Sequence, residues 1–170
     1  MPLRRLIFLS SLVLAVAALS PAAALGAAKG TDRPLKGTLT ATAHDNLSTG
    51  MNTVDGTFLF THLGKGTFHE DATAGTVTGN TFTATGTTTF VAANGDKLFT
   101  TDAGTGTFTP LQNMVVSTIT GGTGRFAGAS GTITTTRVVV VGSVSIVFVP
   151  GVGVIATDTF TGTAEGQISY

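Results

Sequence analysis

The sequence contains no cysteine and no tryptophan, one tyrosine (Tyr170), and few charges of either sign. Each shortage removes function classes. Without cysteine there is no disulfide scaffold, no thiol nucleophile, no cysteine-ligated zinc and no lipid-modified N-terminal cysteine. Without tryptophan, and with a single tyrosine, the usual rings for stacking sugars or bases are missing. Charged residues make up 11% of the chain, its formal net charge is zero, and no basic run occurs. Nucleic-acid binding needs a cationic footprint to displace counterions from phosphates, so that partner is excluded.

The first residues have the tripartite form of an export signal. Arg4 and Arg5 supply a positive start, Leu6 to Leu19 an apolar stretch, and Ala22 to Ala28 a run of small residues. We expect a signal peptide over 1–28, cleaved after Ala24, Ala27 or Ala28, and a secreted protein. Leu6-Ile7-Phe8 fits a twin-arginine signal poorly, which favours the general secretory route. The alternative for the same segment is an N-terminal membrane anchor. The mature part would carry a formal charge of −2, seven Lys/Arg against nine Asp/Glu.

Residues 29–34 lack periodicity and read as a flexible tail. From 35 to 170 the pattern has period two, consistent with one all-β domain. Leu35, Gly37, Leu39, Ala41 and Ala43 alternate with Lys36, Thr38, Thr40, Thr42 and His44, and Phe82 to Ala92 alternates with threonine in the same way. Small or apolar residues every second position mark strands buried on one face, and threonine suits the wet face of a pleat. The expected strands are 35–44, 54–62, 64–71, 76–92, 97–109, 113–120, 130–141 and 143–168, with the last broken at Pro150-Gly151. That makes about eight, spaced as in a barrel or sandwich. Asn94-Gly95 predicts a two-residue hairpin turn. Gly-Thr-Phe recurs at 56–58, 66–68 and 106–108 without a fixed period, which argues against a solenoid.

Val138 to Ala156 carries no Asp or Glu and no Lys or Arg, over a length that could span a membrane. Its β-branched valines, with Gly142, Pro150, Gly151 and Gly153, predict instead two buried strands around a Pro-Gly turn. Covered on both faces, they would suit a subunit interface. No stable membrane insertion is expected.

Gly121-Gly122-Thr123-Gly124-Arg125-Phe126-Ala127-Gly128-Ala129-Ser130-Gly131 resembles the signature of the allene oxide cyclase-like barrels, the superfamily that includes the dirigent proteins. Thr61-His62-Leu63-Gly64 and Ala92-Ala93-Asn94-Gly95-Asp96 are similar to the same family's small secreted bacterial members. The resemblance implies a closed, calycin-like antiparallel barrel of about eight strands with an apolar interior. It further implies assembly as a homo-oligomer, often a trimer, and chemistry without a cofactor. Plant members cyclise an epoxide or steer the coupling of phenoxy radicals, but none of their catalytic residues maps onto a position here. Gly121, Gly122, Gly124, Gly128 and Gly131 would permit tight turns, with Phe126 as a plug at one barrel end. A phosphate-cradling loop would have to feed a helix, whereas Thr132 to Thr136 read as strand.

Candidate chemistry is sparse. Of the three histidines, His69 lies in His69-Glu70-Asp71, but on a strand only His69 and Asp71 share a face. That is at best a weak metal site, and polar surface beside a turn explains it better. Parity gives a sharper set. His62 shares a face with Phe58 and Phe60, Asp102 with Leu98, Arg137 with Ile133 and Val139, and Asp158 with Phe160. With Phe82 and Phe90, these are the candidate barrel-lining residues. If the four ionisable groups point inward, an Arg137–Asp pair with His62 nearby is expected, because buried charges need partners. If a bulge reverses parity they sit at the rims instead. No Gly-x-Ser-x-Gly elbow supports a serine hydrolase. Flat threonine ranks for ice binding would need a repeat that is absent.

Three function classes follow. The first is a binding module holding a small apolar ligand in the barrel. The second is a structural or surface-associated protein without a ligand. The third is a cofactor-free cyclase or isomerase. No metal or cofactor is expected. The volume left inside the barrel separates the second class from the other two.

Overall fold

The computed structural model describes residues 30–170, so the leader and its cleavage points lie outside the described residues. Nine strands follow in order: β1 (Arg33–Asn46), β2 (Met51–Phe60), β3 (Gly64–Thr78), β4 (Thr81–Ala92), β5 (Lys97–Phe108), β6 (Leu111–Gly122), β7 (Ser130–Val139), β8 (Ser145–Val149) and β9 (Gly153–Ser169). Each pairs antiparallel with its sequence neighbour up to β7. β7 then pairs with β9, and β9 returns to β1. Eight strands therefore close a meander barrel, which removes the free edges an open sheet would expose. β8 stands outside the ring and pairs only with the start of β9.

The period-two pattern becomes an inner and an outer layer. Leu35, Leu39, Ala41 and Ala43 of β1 are buried, and Thr38 and Thr40 between them face solvent. On the outer face Thr40 sits between Thr57 and Thr161, a cross-strand ladder of β-branched hydroxyls. Inside, Phe58, Phe60, Phe68 and Phe90 form a cluster with ring centroids 4.8–5.8 Å apart. Glycine allows this crowding. A Cβ on Gly66 would strike the Val91 carbonyl and the Phe58 ring, and one on Gly37 would strike the Leu59 carbonyl and Phe60.

One end of the barrel is sealed. Phe126, fully buried in a single 3-10 turn (Gly124–Phe126), packs edge-on to Tyr170 at 5.2 Å beneath the Arg125 guanidinium. Leu35, Leu63, Leu98, Ile133 and Ile168 complete the plug. The three glycine-containing motifs, far apart in sequence, meet here. Arg125 donates to the Leu63 carbonyl at 3.1 Å, and its backbone N–H and guanidinium approach the Asp96 carboxylate. At Gly124 the backbone adopts φ +56°, and a Cβ would collide with Asp96. Gly121, Gly122, Gly128 and Gly131 flank this turn, and all but Gly122 also have positive φ.

Four expectations change. Arg33 and Pro34 are not tail but pair with Ile168 and Gln167 at the start of β1, and Arg33 stacks on Tyr170. The strand expected over 76–92 is divided by a turn at Gly79-Asn80, so β3 is much longer than 64–71. The Asn94-Gly95 connection spans four residues, Ala93 to Asp96, with positive φ at Gly95 alone; the Asn94 side chain closes the loop onto Asp96 instead. Pro150 and Gly151 do make a turn, but the strands around it are not both buried: every residue of β8 is exposed.

Replacing Phe126 by Ala should cost about 3–5 kcal/mol, the usual loss when a fully buried ring leaves a cavity. Urea unfolding would read this as a lower midpoint at unchanged slope.

Candidate functional site

The other half of the barrel is open. The C-terminal ends of β1, β3, β5 and β7 and the N-terminal ends of β2, β4, β6 and β9 enclose a cavity of about 430 Å³. Its walls are apolar: Val54, Ala72, Ala84, Val115, Val139 and Phe160, with Phe82 and Phe108 stacked at 5.0 Å near the rim. Small residues make the room. At Gly104 an added Cβ would find nothing nearer than Val115 at 3.5 Å, an ordinary contact, so the lumen beside it can take a side chain.

The floor is charged. Arg137 on β7 donates through Nη2 to Glu70 Oε2 on β3 at 2.7 Å, with each side chain only 6% exposed. β3 and β7 are four strands apart in a ring of eight, so this pair crosses the lumen. Arg137 Nε reaches Thr135 Oγ1 at 3.3 Å, and the guanidinium lies 5.1 Å from the Phe160 ring centroid. Asp102, on β5 between them, accepts from Thr88 Oγ1 at 2.6 Å and Thr100 Oγ1 at 2.8 Å. These buried charges are held as burial demands, by a partner of opposite sign or by two hydroxyl donors.

Two further carboxyls stand nearer the mouth, Asp45 on β1 and Asp158 on β9. Burial raises both above the ordinary aspartate range; at Asp45 the Asn52 amide and His44 oppose the rise, and at Asp158 the neighbouring Asp45 charge adds to it. Asn113 Oδ1, also lining the cavity, is buried without a hydrogen-bond partner. The cavity thus holds four carboxyls, one guanidinium and an unfilled acceptor.

Of the residues singled out by parity, Phe58, Phe60 and Phe90 lie in the closed half. Phe82, Asp102, Arg137, Asp158 and Phe160 line the open half or its floor. His62 does neither. It sits in the β2–β3 turn at φ +69°, exposed to solvent, because β2 ends at Phe60 and the alternation ends with it. The partner of Arg137 is Glu70, not an aspartate. Glu70 lies two residues after Phe68, inside the strand expected over 64–71, so the same parity could have found it; Phe68, Glu70 and Ala72 share the inner face. His69 and Asp71 do share the outer one. There His69 lies 2.8 Å from Asp55 and 3.4 Å from Asp71, which raise its pKa, chiefly through the Asp55 hydrogen bond. Among the described residues no group of His, Asp or Glu is placed to hold a metal ion.

Comparison with protein-family models, with curated proteins and with solved structures finds no match to this chain.

Arg137→Met should destabilise the barrel by about 3–5 kcal/mol, because Glu70 is left buried and unpaired. Glu70→Gln combined with Arg137→Met should recover most of the loss, as measured by a double-mutant cycle in urea. Asp158 has the opposite sense. Its folded pKa is raised, so its contribution to stability is present at low pH and is lost as pH rises through that pKa. Asp158→Asn should therefore raise Tm at pH 7 and leave it nearly unchanged at pH 3, where the native carboxyl is already protonated.

Proposed function

We propose that this protein is a binding module whose barrel holds a small apolar ligand, body against the cavity wall and polar end toward the floor. The observation that carries the proposal is the cavity of about 430 Å³, apolar on its sides and closed below by Glu70, Arg137 and Asp102. Its size and its few convergent polar groups suit a small-molecule site. A barrel kept purely as a structural element has no need of unfilled volume over a costly charged layer, so the ligand-free reading is the weaker one.

The polar groups also favour a type of ligand. Arg137 is occupied by Glu70, while Asp158 and Asn113 Oδ1 have acceptor capacity to spare. A ligand whose polar end donates hydrogen bonds, above all a protonated amine, complements them; an anionic end meets net negative charge. The family resemblance adds support, since it implies an apolar barrel interior, and its three motifs converge on the sealed end. Export rests on the leader alone.

Isothermal titration with octylamine, octanol and octanoate separates these points. The expected order of affinity is amine, alcohol, then acid, with the amine lost in Gly104→Phe, which fills the lumen beside Val115. Binding of octanol at least as tight as the amine would remove the charge preference and keep the ligand-holding barrel. No binding by any of the three would remove both.

A further inference from the structure

We propose that β8 is a self-association edge, through which two copies of this chain pair strand to strand about a two-fold axis. The barrel closes on itself, yet the chain adds one open edge outside it. β8 continues the line of β7 after the loop at 140–144 and pairs with Gly153–Thr157 of β9, at the rim of the barrel. Its other side has no neighbour among the described residues. Edge strands are ordinarily protected by lysine, inward charge, a bulge or brevity with polar cover. Ser145-Ile146-Val147-Phe148-Val149 has no charge, and none occurs from Val138 to Ala156.

The side chains agree with the backbone. Ile146 is 63% exposed, Phe148 69% and Val141 fully, and Val140, Val144, Val147, Val149 and Val152 are all at least 36% exposed. Together these eight expose several hundred Å² within residues 140–152, comparable with the largest patch of a typical monomer. That is a substantial part of the roughly 800 Å² that one partner contributes to a standard interface.

A second copy fits this surface better than a bilayer does. Antiparallel pairing of β8 with itself is self-complementary, as a two-fold interface requires. It satisfies the outward N–H and C=O groups and lays Ile146 and Phe148 against their counterparts. In a hydrocarbon layer the same backbone groups would stay unsatisfied, and open sheet edges do not occur there. The carboxyls of Asp45 and Asp158 near the same rim would also face an anionic membrane surface unfavourably.

Sedimentation equilibrium and native mass spectrometry of the purified protein should give a dimer. Val147→Lys, on an exposed position, should return it to monomer with an unchanged circular-dichroism spectrum. Because the chain has no cysteine, Val147→Cys should form a disulfide-linked dimer on mild oxidation, whereas Leu59→Cys, exposed on the barrel wall away from this edge, should not. A monomer at high concentration, a trimer, or a dimer that survives Val147→Lys would overturn the proposal. So would co-sedimentation with phosphatidylcholine vesicles that Val147→Lys abolishes, which would assign the hairpin to a membrane instead.

Discussion

Glu70 and Arg137 reach across the lumen from opposite strands, and the two halves of the barrel differ because of where they meet. Below them the interior can be dry, filled by four phenylalanines and sealed by Phe126. Above them a filled core would have to bury the upper side of an ion pair and of Asp102 against hydrocarbon. Desolvating such groups costs several kcal/mol per ion unless each polar atom is met. Alanine and glycine are interspersed there among Val54, Phe82, Val115 and Phe160, and the space they leave lies over the charges. The polar layer and the cavity are thus one constraint, since each makes the other tolerable.

Much of this was legible from residues alone. Alternation placed Leu35 to Ala43 and Phe82 to Ala92 correctly, because a half-buried strand leaves its period in the sequence whatever sheet it joins. For Asp102 and Arg137 the same parity left two outcomes open, inward or at a rim, and the structure shows them inward. The bulges that could have reversed it fall between Phe99 and Thr100 and between Ala74 and Val77, and neither turns these side chains outward. Glu70 was missed for a different reason. Residues 72–80 mix small residues, threonine and glycine, so strand and turn look alike there, and a polar triplet beside a presumed turn reads as surface although Glu70 shares its parity with Phe68. His62 failed at the other boundary, two residues past the end of β2, where parity no longer applies.

What could not be read was contact between strands remote in sequence. The pairing of β3 with β7 across the lumen depends on the ring closing with eight members, and no local signal counts strands. The same holds at the sealed end, where Arg125 joins Leu63 and Asp96. The motifs at 61–64 and 92–96 are weak signals alone, and only the glycine-rich one is specific. Their meeting around one guanidinium explains why glycine is needed at 124: a side chain there would occupy the place of the Asp96 carboxylate.

The exposed hairpin follows from the same accounting of polar and apolar surface. A long uncharged run was expected to be covered on both faces; Ala156 is buried and Val139 packs against the core, but β8 is exposed along its whole length. Closing the barrel removes the need for β8, so its presence is not explained by the fold it leaves. Valine and phenylalanine on a free edge lower the solubility of a monomer without adding to its core, whereas pairing that edge converts both the backbone groups and the side chains into buried area. The rim that carries the hairpin also carries the cavity, with Val144 and Leu47 contributing to its lining. On the two proposals made above, pairing of copies through β8 would cover part of the rim through which a ligand enters, with Val144 common to both.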